Sequence, residues 1–62
     1  MKALVIGYGS IGKRHIKNLS SIPNMKIIVN TKRDGDKFLE NKNCVIHPSL
    51  DLCIDEKPDF AI

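Results

Sequence analysis

The sequence predicts an α/β fold with a parallel sheet, and three observations support that class. Four short apolar runs have the length and composition of buried strands, at 2–6, 25–30, 44–46 and 60–62. Helical spacing or capping residues mark the segments between them, at 10–20, near 36–42 and at 49–56. Strands that alternate with helices form parallel sheets with right-handed crossovers. We therefore expect β-α-β-α-β-α-β with strand order 3-2-1-4, the first half of a doubly wound sheet.

The strands are predicted from apolar composition and from the breakers that follow them. Residues 3–6 are apolar without interruption, which is typical of a strand buried on both faces. The second strand, Met25 to Asn30, is β-branched throughout 27–29. His47-Pro48 ends the third strand, and Phe60 begins the fourth.

The first helix is predicted to bury one apolar stripe. Its inner side contains Ile11, Ile16 and Leu19, together with Gly12. The outer face carries the cations Lys13, Arg14 and Lys17. Pro23 prevents the helix from continuing toward the second strand.

Two shorter helices complete the pattern. Asp34 or Asp36 is suited to cap the helix near 36–42, in which Phe38 and Leu39 are the predicted buried pair. Ser49 is suited to cap the helix at 49–56, whose predicted inner stripe is Leu50, Cys53 and Ile54.

The most informative motif is Gly7-Tyr8-Gly9-Ser10-Ile11-Gly12, which joins the first strand to the first helix. In this context G-x-G-x-x-G is typical of dinucleotide binding. Gly7 permits the tight turn, Gly9 permits close approach of a diphosphate, and Gly12 permits close helix packing. The amides near Ser10 and Ile11 are expected to face the phosphates, helped by the helix dipole. The predicted fold is therefore a Rossmann-type half-sheet.

A nucleoside-triphosphate loop is a weaker interpretation of the same residues. Gly7, Gly12 and Lys13 fit G-x-x-x-x-G-K, but Arg14 stands where that loop needs Ser or Thr. A guanidinium cannot replace the hydroxyl that binds Mg²⁺.

The residues after the second strand bear on which dinucleotide is bound. NAD sites usually carry an acidic residue about 20 positions past the glycines. Here Asn30 and Thr31 are neutral, and Lys32 and Arg33 follow. Neutral residues followed by cations suit a 2′-phosphate, so NADP is favoured over NAD. Asp34 would reverse this preference if the strand ended later.

Composition and length bear on the class of protein, its compartment and its partners. The 62 residues are 42% hydrophobic and 27% charged, with a net charge of +3, which indicates a globular chain without a clustered nucleic-acid surface. Cys44 and Cys53 lack zinc or C-x-x-C spacing, so we expect no metal and a reducing, cytoplasmic setting. There is no signal peptide or long apolar span, so no membrane partner is expected. The chain is short and ends within the apolar run 60–62, so we expect the truncated N-terminal part of a longer domain.

No catalytic set is apparent in the sequence. His15 is predicted to be a half-buried helix histidine, and His47 a polar loop residue near the ligand-binding edge. Tyr8 either lies over the cofactor or covers the loop.

The segment from Lys2 to Leu19 resembles the N-terminus of the Gfo/Idh/MocA family, the glucose–fructose oxidoreductase and inositol dehydrogenase group. The matching residues are Gly-Tyr-Gly-Ser-Ile-Gly-Lys-Arg-His-Ile-Lys-Asn-Leu, and the segment 57–62 is similar to the family's Pro-Asp turn and fourth strand. The resemblance implies an NAD(P)-dependent oxidoreductase of sugars, cyclitols or related hydroxyl compounds.

Two departures from the family pattern matter. The acidic residue that many members have after the second strand is absent. Glu56-Lys57-Pro58 resembles the family's catalytic Glu-Lys-Pro motif, but it precedes the fourth strand, whereas that motif follows the fifth. We therefore assign Lys57 no catalytic role, and expect the substrate-binding domain outside residues 1–62.

Two other functions compete with a portion of an oxidoreductase. A stand-alone, non-catalytic nucleotide-binding module would need to cover an exposed strand edge, which favours a homo-oligomer. A nucleic-acid-binding piece would rest on the scattered cations, but it lacks interleaved aromatic residues.

Overall fold

The computed structural model describes residues 1–32 and 43–62. Its elements, in chain order, are β1 (Lys2–Ile6), α1 (Ser10–Ser20), β2 (Lys26–Asn30), β3 (Cys44–His47), α2 (Leu50–Asp55) and β4 (Phe60–Ala61). The strands form one parallel sheet in the order β3-β2-β1-β4. The predicted class and strand order are confirmed. The helix predicted near 36–42, with Asp34, Asp36, Phe38 and Leu39, lies outside the described residues.

The two helices pack on opposite faces of the sheet. Register pairs run from Lys2↔Lys26 to Ile6↔Asn30, so alternate residues of the central strands point to the same face. One face forms a core with α1, which includes Ala3, Val5, Ile16, Leu19, Ile27 and Val29. The other face forms a smaller cluster of Leu4, Ile28 and Cys53, the last from α2. Continuous apolar runs occur in β1 and β2 because both of their faces are covered.

The inner stripe of α1 is partly different from the prediction. Gly12, Ile16 and Leu19 are buried, as expected. Ile11 is 72% exposed, so its place in the stripe was wrong. It lies in the first turn of α1, beside the carboxyl end of β1, and it faces a cavity instead of the core.

The stripe predicted for α2 was also wrong at two of its three positions. Cys53 is fully buried, but Leu50 and Ile54 are exposed. The helix has six residues and contacts mainly β2 and β3. Only one side chain of so short a helix reaches the cluster with Leu4 and Ile28, and the neighbouring positions turn away from the sheet. Ser49 occupies the N-cap position without a side-chain capping bond.

The turn after α2 explains the Glu-Lys-Pro segment structurally. Lys57 has a φ of 58°, and its N–H donates to the Ile54 carbonyl at 2.9 Å, which ends the helix. Asp59 then accepts a 2.7 Å bond from the Lys2 N–H and donates its own N–H to the Lys2 carbonyl at 2.8 Å. These bonds start the pairing of β4 with β1, so Lys57 lies at the amino-terminal end of the sheet.

Neither helix in the described ranges is long and apolar enough to cross a membrane.

Candidate functional site

The loop between β1 and α1 leaves the sheet through Gly7. Its φ is +91°, a conformation that side-chain-bearing residues rarely adopt. The Gly7 N–H donates to the Asn30 carbonyl of β2 at 3.1 Å. The turn is thereby fixed to the carboxyl end of the neighbouring strand.

Gly9 is the N-cap of α1. Its carbonyl accepts the first helical bond, from the Lys13 N–H at 2.9 Å. The amides of Ser10, Ile11 and Gly12 precede that bond, so the helix itself offers them no acceptor. A Cβ built on Gly9 meets no atom of the described part of the chain within 4 Å. Within residues 1–32 and 43–62, the space beside Gly9 at the start of α1 is therefore open.

Gly12 is constrained in the opposite way. A Cβ at this position would lie 2.7 Å from the Gly7 oxygen and 3.3 Å from the Gly7 carbon. Since both atoms belong to the backbone, a side chain could be accommodated only by moving the helix away from the loop. The glycine keeps the start of α1 against the turn and brings its amides to the end of β1.

A cavity of about 440 Å³ opens in front of this loop. It is lined by residues from β1, the glycine loop, α1 and the end of β4: Val5, Ile6, Gly7, Gly9, Ser10, Ile11, Gly12, His15 and Ile62. The cavity lies between β1 and β4 at the carboxyl end of the sheet. In open α/β sheets that is the switch point in strand order, where ligands bind.

Five of the six predicted loop residues line this cavity, and Tyr8 does not. The Tyr8 side chain is 6% exposed and belongs to the core beneath α1. The Lys13 ammonium lies 5.1 Å from the centre of its ring, a cation–π contact. Of the two alternatives for Tyr8, the structure places its side chain under the loop.

The predicted cofactor-selecting residues lie on the other side of the loop. Asn30 donates from Nδ2 to the carbonyls of His47 and Pro48, at 3.2 and 3.3 Å. The Thr31 N–H donates to the same His47 carbonyl at 3.1 Å, and Lys32 is exposed. None of these three lines the cavity, although Asn30 is the register partner of Ile6, which does. Arg33 lies outside the described residues.

Sequence reasoning missed His15 and Ile62 as cavity residues. His15 lies on the same face of α1 as Ile11, four residues earlier, and Gly12, three residues earlier. That spacing could have placed His15 beside the site. Ile62 reaches the cavity only through the pairing of β4 with β1, in which the Ile62 N–H donates to the Leu4 carbonyl at 2.8 Å.

His47 is the last residue of β3 and belongs to a polar cluster around Glu56. His47 Nε2 lies 2.8 Å from Glu56 Oε2, and Lys26 Nζ lies 3.7 Å from Glu56 Oε1. Lys2 Nζ donates to the Glu56 carbonyl at 2.9 Å. The hydrogen bond with His47, helped by the nearby charges of Lys26 and Lys2, lowers the pKa of Glu56. These contacts tie the end of α2 to three strands.

The two cysteines do not form a reactive centre. Both are free, and Cys53 is fully buried. Burial raises the pKa of the Cys53 thiol, which favours the unreactive protonated form. Within residues 1–32 and 43–62, no group of three or more His, Cys, Asp or Glu side chains could hold a metal ion.

Comparison of the chain with protein-family models, with curated proteins and with solved structures finds no match.

Proposed function

We propose that this chain is the dinucleotide-binding portion of an NAD(P)-dependent oxidoreductase. The observation that carries the proposal is the combined geometry of Gly9 and Gly12. One glycine leaves open space before the first amides of α1, and the other holds those amides at the switch point of the sheet. An anionic group that accepts bonds from backbone amides fits such a site, and a diphosphate has the charge and oxygen spacing to do so.

A nucleoside triphosphate with Mg²⁺ fits the site less well. Arg14, which stands at the position of the metal-binding hydroxyl in a P-loop, is exposed on α1 and does not line the cavity. The aliphatic side chains that line the cavity suit the ring portions of a dinucleotide better than a hydrated cation.

NADP is proposed as the preferred cofactor. The support is chemical: in the sequence, the neutral residues Asn30 and Thr31 are followed by the cations Lys32 and Arg33. Arg33→Ala should weaken NADPH binding by about 1–3 kcal/mol, as expected for loss of a charge-assisted bond, and NADH binding much less. Arg14→Ala is the matched control, because it removes the same charge from an exposed position outside the cavity. Equal losses for both cofactors would assign Arg33 no role at the 2′-phosphate.

The proposed reaction class follows from the Gfo/Idh/MocA resemblance. A hydride would pass between the nicotinamide and a hydroxyl-bearing carbon of a sugar, cyclitol or related compound, with the substrate bound by a longer protein. We assign this chain the binding of the cofactor and no catalytic residue. A cytoplasmic location is proposed, since the cofactor and two free thiols suit a reducing compartment.

A stand-alone nucleotide-binding module that forms homo-oligomers is the second candidate. Its support is the exposed apolar surface of β4 and α2, where Phe60, Leu50 and Ile54 are between 38% and 54% exposed. Sedimentation equilibrium tests it: a concentration-dependent dimer supports the module, and a monomer at all concentrations contradicts it.

Calorimetric titration with NADPH and NADH tests the main proposal. The wild-type chain should bind at least one of them, and Gly9→Ala should weaken that binding at least about tenfold, because its methyl group enters the space proposed for the diphosphate. The variant should unfold at nearly the same temperature as the wild type, since no described atom crowds the new methyl group. Absence of binding to the wild type, or unchanged binding by Gly9→Ala, would contradict the proposal.

A further inference from the structure

Among the described residues that line the cavity, His15 is the one with a side chain that ionises near neutral pH. The other lining residues among those described are glycines, Ser10 and aliphatic residues. His15 lies one helical turn beyond the first amides of α1, and it is half-buried. The imidazole and the helix N-terminus therefore border the same space from adjacent turns of one helix face.

We propose that His15 is a ligand-binding residue of this cavity that contacts the anionic diphosphate, and that its charge makes the affinity depend on pH. The inference rests on the proposed function, because it takes the diphosphate as the group held before the first amides of α1. An imidazolium donates a charge-assisted hydrogen bond to a phosphate oxygen, whereas a neutral imidazole donates a weaker one.

Among residues 1–32 and 43–62, the other charged side chains do not line the cavity. On α1, Lys13 lies over the Tyr8 ring, and Arg14 and Lys17 are exposed on positions that do not line the cavity. At the opposite end of the sheet, the Lys2 ammonium donates to the Glu56 carbonyl, and the Asp59 carboxylate accepts from the Lys2 N–H. Lysine and arginine keep their charge near neutral pH, whereas histidine side chains and α-amino groups can change charge between about pH 5.5 and 8. The α-amino group of Met1 donates to the Asn24 carbonyl before the start of β1, away from the cavity.

The sign of the effect follows from linkage. A diphosphate diester stays ionised across this range, and it interacts more favourably with imidazolium than with imidazole. Binding must then be accompanied by proton uptake, and the affinity must rise as the pH falls. For one charge-assisted contact, we expect binding about tenfold tighter near pH 5.5 than near pH 8.

The experiment is a calorimetric titration of the chain with ADP-ribose at about pH 5.5, 6.5 and 8. ADP-ribose carries the diphosphate but lacks the 2′-phosphate of NADPH, which itself titrates in this range. The variant His15→Gln keeps hydrogen-bonding capacity but cannot be protonated, and its affinity should be nearly independent of pH. His47→Gln is the matched control, because His47 contacts Glu56 away from the cavity and should leave the pH dependence intact.

Each outcome decides the matter. The inference is supported if the affinity for ADP-ribose rises as the pH falls in the wild type and in His47→Gln, but is independent of pH in His15→Gln. Binding of ADP-ribose with the same pH dependence in the wild type and His15→Gln overturns it and leaves the proposed function standing. Absence of wild-type binding at every pH contradicts the proposed function as well. If His15→Gln does not unfold cooperatively, His15→Asn takes its place in the same comparison.

Discussion

Replacing Gly12 by alanine is expected to destabilise the fold, although alanine is the better helix former. The new Cβ would lie 2.7 Å from the Gly7 oxygen, and ordinary van der Waals contact begins near 3.4 Å. The helix or the turn must therefore move by about 0.7 Å. Gly7 cannot readily yield, because its φ of +91° and its bond to Asn30 fix the turn.

The expected magnitude is the difference between two opposing effects. Overpacking costs about 1–3 kcal/mol, and contact with backbone atoms that cannot rotate away places Gly12→Ala in the upper part of that range, at about 2–3 kcal/mol. Alanine regains about 1 kcal/mol through helix propensity and a less flexible unfolded chain. We expect Gly12→Ala to lower the free energy of unfolding by about 1–2 kcal/mol, or the melting temperature by roughly 8–15 °C in a chain of this size.

The assay is urea denaturation followed by circular dichroism, with Gly9→Ala as the control. Gly9 receives the same methyl group, but its φ of −88° is ordinary and no described atom lies within 4 Å of the new Cβ. Its free energy of unfolding should stay within about 0.5 kcal/mol of wild type. If Gly12→Ala were as stable as wild type, or if both variants lost the same stability, the assigned contact between α1 and the turn would be refuted.

Three further predictions concern the turn after α2, the ionisation of Glu56 and the choice of cofactor. Lys57→Gly should raise the free energy of unfolding by about 1 kcal/mol, because glycine adopts the φ of 58° at this position without strain. Lys17→Gly, inside α1, is the control and should lower the free energy of unfolding by a similar amount. Equal effects of the two substitutions in urea denaturation would contradict the left-handed turn at Lys57. His47 and Lys26 lower the pKa of Glu56, so ionised Glu56 stabilises the fold above the ordinary carboxyl range, and this contribution is lost as pH falls through the lowered pKa. The stability difference between wild type and Glu56→Gln should therefore shrink in acid melts below about pH 4, and a difference that grew would contradict the pairing. Arg33→Ala should weaken NADPH more than NADH in parallel titrations, and the reverse order would contradict the proposed NADP preference.

The strand order and the places of the three glycines were predictable because their causes are local. Continuous apolar runs arise from burial on both faces, and alternation with helices leaves few possible topologies. Gly12 was assigned to close helix packing from its position in the motif, and the 2.7 Å approach to the Gly7 oxygen confirms that assignment.

The features that were not predicted depend on the neighbours of each helix or strand in the folded chain. Ile11 has the helical spacing of the stripe, but no strand in residues 1–32 and 43–62 extends past the end of β1 to cover it, and it is exposed. Leu50 and Ile54 flank Cys53, and α2 is too short to bring all three to the sheet. Asn30, at the end of the second strand, was predicted to contact the ligand. Its side-chain amide also joins β2 to the end of β3, because it donates to the carbonyls of His47 and Pro48. Spacing within one element does not contain that information.

An amide NMR titration with NADPH tests the central claim most directly. Peaks of Ser10, Ile11 and Gly12 should shift more than those elsewhere in α1, because these amides precede the first helical bond and belong to residues that line the cavity. Residues near Glu56 and Lys57, at the opposite end of the sheet, should shift least. Saturable binding that leaves the three amides unmoved, or that moves the far end of the sheet instead, would contradict a diphosphate held at the start of this helix.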